Sequence, residues 1–207
     1  MERDVWHSLY RRMVLGLSLP EQAREHRGRV LLHFSDTPST FYSAMRHLVD
    51  YFEPLCIIHT GDLADEVKLE LHPGELPLYR KKLAELRSVL SPLSGDRLVI
   101  ITGNHDHECS VREFFPEGLV IEGGARLNLF GLDLNLSHEP ERLGTPPSRF
   151  NLFGHSMPPE VDADGDKIFL NGLKAVHVLN VDSGVVLSIP YPKYVDDARF
   201  NRKKVGL

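Results

Sequence analysis

Five short polar clusters each stand where an apolar run ends, and this ordered series constrains the chain more than any bulk property. They read Ser35-Asp36-Thr37-Pro38, Gly61-Asp62, Gly103-Asn104-His105-Asp106, Ser137-His138-Glu139 and Gly154-His155-Ser156-Met157. In open α/β sheets, ligands bind beyond the carboxyl ends of the strands. Asp36, Asp62 and Asn104 follow three successive apolar runs, so three neighbouring strands would bring them to one rim. His138 and His155 follow later runs in the same manner. Gly61, Gly103 and Gly154 allow a sharp turn and a close approach of backbone to ligand. Carboxylate oxygens, an amide oxygen and neutral imidazoles suit Mn, Fe, Zn or a similar divalent ion, not a thiolate-loving one.

The runs between the clusters set the fold class. Residues 29–34, 55–59 and 98–101 read as strands. Helices are expected over 40–52, closed by Pro54, and over 77–90, with Pro77 in the first turn. Pro73-Gly74 marks a turn, and Ser110-Val-Arg-Glu113 is a capping-box pattern that would start a short helix. From Leu119 onward the runs are short: 127–130, 132–136, 150–153, 167–170, 175–180 and 185–189, punctuated by Gly, Pro and Asp. Strand–helix alternation followed by strands suggests two packed sheets with helices outside, in one domain. An amphipathic pattern at Val5, Leu9 and Met13 suggests a helix over 4–16, docked on the domain or offering a homodimer contact.

Composition excludes several classes. A chain of 207 residues buries roughly 70% of its unfolded surface and needs no disulfide staples. A net charge of −5 gives no reason to expect a nucleic-acid partner. Two cysteines, Cys56 and Cys109, fit a reducing cytoplasmic setting. No apolar run is long enough for a membrane span, and Met1-Glu2-Arg3-Asp4 is not read as a secretory signal.

With these residues in view, the series resembles the calcineurin-like metallophosphoesterase family, in its small bacterial and archaeal phosphodiesterase branch. That family's ordered motifs are D-x-H, G-D, G-N-H-D/E, a lone H and G-H-x-H. The likeness spans residues 31–157, and Leu179–Ser183 resembles the strand end that follows. It implies an α/β fold, a four-layer αββα sandwich of two mixed β-sheets flanked by helices. It also implies domain bounds: a helical extension over 1–28, the domain over 29–190 and a tail over 191–207. The resemblance further implies two metals bridged by Asp62. One metal's ligands carry over in full as Asp62, Asn104, His138 and His155, while Asp36 and Asp62 remain for the other. His105 matches the histidine that assists the phosphate and leaving group, with Asp106 behind it.

The departures are Pro38, which ends D-x-H without a ligand atom, and Met157, whose thioether is a poor partner for a hard ion. Both strike the same metal position. The expectation is a metal-dependent phosphoesterase holding one or two divalent ions (Mn, Fe, Zn or Ni) and acting on a small phosphate ester. The rival is a catalytically impaired binding or scaffolding module on the same fold. His33 and His59, each three residues before a cluster aspartate, would point away from the rim. His107, Cys109 and Asp65 stand near enough in sequence to reach it. Asp162-Ala-Asp164-Gly-Asp166 lacks the Gly and Glu of a calcium loop and reads as a hairpin turn.

Overall fold

Val30–Phe34 (β1), Cys56–His59 (β2) and Gly95–Thr102 (β3) are the three apolar runs ahead of the first clusters, and they pair in parallel. Every residue of β1 and β2 is buried, as expected of strands covered on both faces. The structure is a computed structural model of the 207-residue chain and describes residues 15–90, 95–156 and 161–199. The helix expected over 4–16, with its dimer contact, falls almost wholly outside those residues; Met157 and the chain beyond 199 lie outside entirely.

Tyr42–Phe52 (α1) follows β1 and lays Tyr42, Ala44, Met45, Leu48, Val49 and Phe52 on the sheet. Glu53 ends it in the left-handed region, with its N–H on Val49 O. Leu76–Leu90 (α2) buries Tyr79, Leu83, Leu86, Val89 and Leu90 in the same core. Glu108–Phe114 (α3) begins earlier than the capping-box pattern at Ser110 suggests. Its cap is the His107 ring, whose Nδ1 accepts from Ser110 N at 3.3 Å and bonds Ser110 Oγ at 2.9 Å.

Gly118–Glu122 (β4), Gly124–Leu129 (β5), Leu132–Ser137 (β6), Phe150–Phe153 (β7), Val161–Asp164 (β8), Lys167–Asn171 (β9), Ala175–Asn180 (β10) and Val186–Pro190 (β11) complete the strands. Two mixed sheets result, in orders β11-β10-β1-β2-β3-β4 and β5-β6-β7-β9-β8. Helices flank them, so the α/β expectation holds. Leu31, Ile58, Val99 and Leu179 of the first sheet meet Leu134, Leu136, Phe150, Leu152 and Leu170 of the second in a shared core. On the second sheet's other face, Asn135 and Asn151 bond the loop at Gly144 and Ser148. β4 and β8 carry no strand signal in the sequence. One is a half-exposed edge and the other is an acidic edge strand, so neither shows clean apolar alternation. The Asp164–Lys167 hairpin is formed, with Gly165 at φ 65°.

The stretch expected as a tail contains Lys193–Arg199 (α4), whose Arg199 is only 2% exposed.

Candidate metal centre

The parallel strands β1, β2, β3, β6 and β7 all release their chains at one rim, where the five clusters meet. Thr37 N bonds Asp62 O at 3.0 Å, Asp36 N bonds Gly61 O at 2.9 Å, and Gly154 N bonds His138 O at 2.9 Å. Asp36, Asp62 and His155 adopt positive φ, three of the five non-glycine residues that do so among the described residues. Such backbone is held only where its surroundings over-determine it, and it concentrates at functional sites.

Four donor atoms converge. His138 Nε2 lies 3.0 Å from Asn104 Oδ1 and 3.4 Å from Asp62 Oδ2. His155 Nδ1 lies 3.0 Å from the same Asn104 oxygen and 3.2 Å from His138 Nε2. Donors about 2.0–2.2 Å from one ion stand about 3.0–3.5 Å apart, and these four contacts have that spacing. The amide orientation is set by Asn104 Nδ2, which donates to Glu70. His138 Nδ1 bonds Thr60 O at 2.7 Å, so a proton belongs there and Nε2 is the nitrogen that faces Asn104 and Asp62. Burial disfavours an imidazolium at His138, yet the bond to Asp62 and the charges of Asp62 and Asp36 prevail and lift it to about 10. A positive charge belongs at this point, and the oxygen–nitrogen donor set fits a divalent ion.

Asp36 Oδ2 accepts from His155 N at 3.1 Å and also lies close to Asp62 and His138, with donor atoms of all three within 4.8 Å. Pro38, buried, offers no ligand atom there and leads a 3-10 turn at Ser39–Phe41. His105 lies beside this seat. Its N–H donates to Asp62 Oδ1 at 3.0 Å and its Nδ1 faces Glu70 Oε2 at 3.8 Å. Burial lowers its pKa, offset in part by Asp62.

Asp106 is a brace between two of the clusters. Its carboxylate accepts from Asp62 N, Gly103 N, Leu63 N and Tyr79 Oη at 2.8–2.9 Å. It ties the G-D turn to the G-N-H-D turn and does not bond the His105 ring. Burial and the Asp62 charge push it up to about 6 against those donors.

His33 and His59 are buried and bonded beneath the rim. His59 Nε2 bonds Thr37 Oγ1 and its Nδ1 accepts from Gly61 N; His33 Nε2 bonds Thr60 Oγ1. His107 caps α3, and Cys109 is exposed. Asp65 does lean in: its carboxylate, Asp62 and His105 have donor atoms within 4.8 Å of one another. Arg199 had no signal in the sequence. Its Nε donates to Asp36 O, Nη2 to Ser35 O at 3.1 Å and Nη1 to Leu173 O at 2.7 Å. Its guanidinium stacks on Tyr191 at 4.2 Å, clamping the turn that carries Asp36. A polar cleft of about 220 Å³ opens beside Asn104 and His138, walled by Glu108, Glu122, Glu139 and Arg142.

A family model described as calcineurin-like phosphoesterase matches residues 30–193. Among solved structures, an archaeal phosphodiesterase is similar at 13% identity and a TM-score of 0.52, over 78% of this chain and 99% of that one. Yfce, a phosphoesterase from E. coli, is similar at 16% identity and a TM-score of 0.52, over 79% and 100%. These likenesses concern the fold. A search of curated proteins found no match.

Proposed function

Because this chain belongs to the calcineurin-like phosphoesterase family, we propose that it is a metal-dependent phosphoesterase with one complete metal seat, hydrolysing a phosphodiester or a small phosphomonoester. The observation that carries this is the chain of contacts at 3.0–3.4 Å that runs from Asp62 to His138 and closes among His138, Asn104 and His155. Asp62, Asn104, His138 and His155 would hold the ion, which would be Mn, Fe, Zn or Ni. When bound, it supplies Lewis acidity and a water acidified toward neutral pH.

The chain's own residues do the rest. Asp106 fixes the backbone around Asp62, and Asp36 fixes the N–H of His155. The His105 ring lies beside Asn104 and Glu70 at the edge of the seat. An approaching phosphate anion raises the ring's hold on a proton, so the imidazole can pass one to the leaving oxygen. Free thiols at Cys56 and Cys109 support a cytoplasmic setting. No helix among the described residues is long and apolar enough to cross a membrane.

The test is metal analysis after loading with Mn, joined to turnover of a chromogenic phosphodiester. Mn-dependent turnover that is lost in His155→Ala supports the reading. No metal-dependent turnover, with His155→Ala matching wild type, refutes it. Pro38 is the observation on the side of a noncatalytic binding module, which would show that second outcome.

A further inference from the structure

We propose that Lys68 is the second cation of this site, an ammonium anchored by Asp65 that meets the substrate phosphate beside a single metal. The inference rests on the proposed metal seat and names what stands where the family's other ion would be.

Asp65 is 2% exposed and lies three residues after the bridging Asp62. Its N–H bonds Thr37 O at 3.2 Å, which locks it against the turn that ends in Pro38. A carboxylate so placed, near Asp62 and the His105 ring, needs a positive partner. Lys68 supplies it through an ion pair with Asp65 Oδ1, and the Lys68 side chain is 22% exposed. The turn between them is rigid, because Leu63, Ala64 and Val67 are buried in the core and Val67 N bonds Ala64 O. Asp65 has donor atoms within 4.8 Å of those of Asp62 and His105, so the ammonium paired to it is held on that side of the rim.

Nothing at Pro38 offers a ligand to a second ion. Lysine is a compact point charge suited to phosphate, and it needs no imidazoles to hold it.

Calorimetric titration with Mn, then with inorganic phosphate, tests this on wild type, Lys68→Gln, Lys68→Arg and Asp65→Asn. Wild type should bind one Mn. Lys68→Gln should keep that Mn and its affinity but bind phosphate about tenfold more weakly, the effect of one nearby charge in a half-solvated site. Lys68→Arg should recover part of the loss. Unchanged phosphate binding in Lys68→Gln, with one Mn bound, overturns the inference and leaves the metal reading intact. Two Mn per wild-type chain, falling to one in Asp65→Asn, also overturns it by making Asp65 a metal ligand. Failure of wild type to bind Mn overturns both.

Discussion

Gly103→Ala tests whether the rim is built to hold a metal or merely happens to be polar. A Cβ at Gly103 would collide first with Asp62 Oδ1 and would stand 2.7 Å from Asp62 N and 2.9 Å from His138 Cε1, where ordinary contact begins at 3.4 Å. The contact with Asp62 N is to backbone, which cannot swing aside as a side chain can. Asp62 or the Gly103 strand end must shift by about 0.5–0.7 Å, whereas metal–ligand distances tolerate about 0.2 Å. The affinity for Mn should therefore fall at least about tenfold, the loss typical when a ligand's support is removed. Overpacking should cost about 1–3 kcal/mol of stability, offset by about 0.4–1 kcal/mol from the stiffer unfolded chain. A net loss of about 1–2 kcal/mol should lower Tm by roughly 2–8 °C in a domain of this size. Gly74→Ala is the control, since its Cβ would meet nothing within 4 Å. Mn titration and thermal melts of both variants are the assays. If Gly103→Ala binds Mn as wild type does, the claim that these donors form one ion's shell is refuted.

Two further predictions concern the scaffold. Arg199→Met strips three carbonyls of their charged donor, so urea unfolding should show a loss of about 3 kcal/mol, with Arg199→Lys losing less; a loss below about 1 kcal/mol would mean the clamp is slack. His59 is held by burial at about 3, far below its ordinary 6.5. The unfolded state thus binds its proton first, and the stability due to neutral His59 is present above pH 6.5 and lost as pH falls toward about 3. Asp65 and Asp106, raised to about 7 and about 6, titrate nearby in the opposite sense, so the comparison must be made against His59→Gln. The stability gap between wild type and His59→Gln should narrow by about 2 kcal/mol from pH 7 to pH 5, and an unchanged gap would contradict a buried neutral imidazole.

The strands β1, β2 and β3 were legible because a fully buried strand must be a continuous apolar run, and each run here ends in a residue that water or a metal must solvate. The helices α1 and α2 were legible from their periodicity, to within a residue or two. The edges β4 and β8 were not, because an edge strand is constrained on one side only and its residues can be of almost any type.

The chemistry divides in the same way. Sequence alone determined the fold family and the donor types, since only a few side chains can bind a hard divalent ion and their order follows the order of strands. It also located the defect at Pro38. Tertiary structure decided which donors actually face one another. It put Asn104 Oδ1, rather than the amide nitrogen, between two imidazoles. It made Asp106 a brace for two turns. It also set the Asp65–Lys68 pair against the turn that ends in Pro38 and brought Arg199 to the turn that carries Asp36. Charges interact through space and not along the chain, so groups that balance one another across 163 residues, as Arg199 and the Asp36 turn do, leave no local pattern to read.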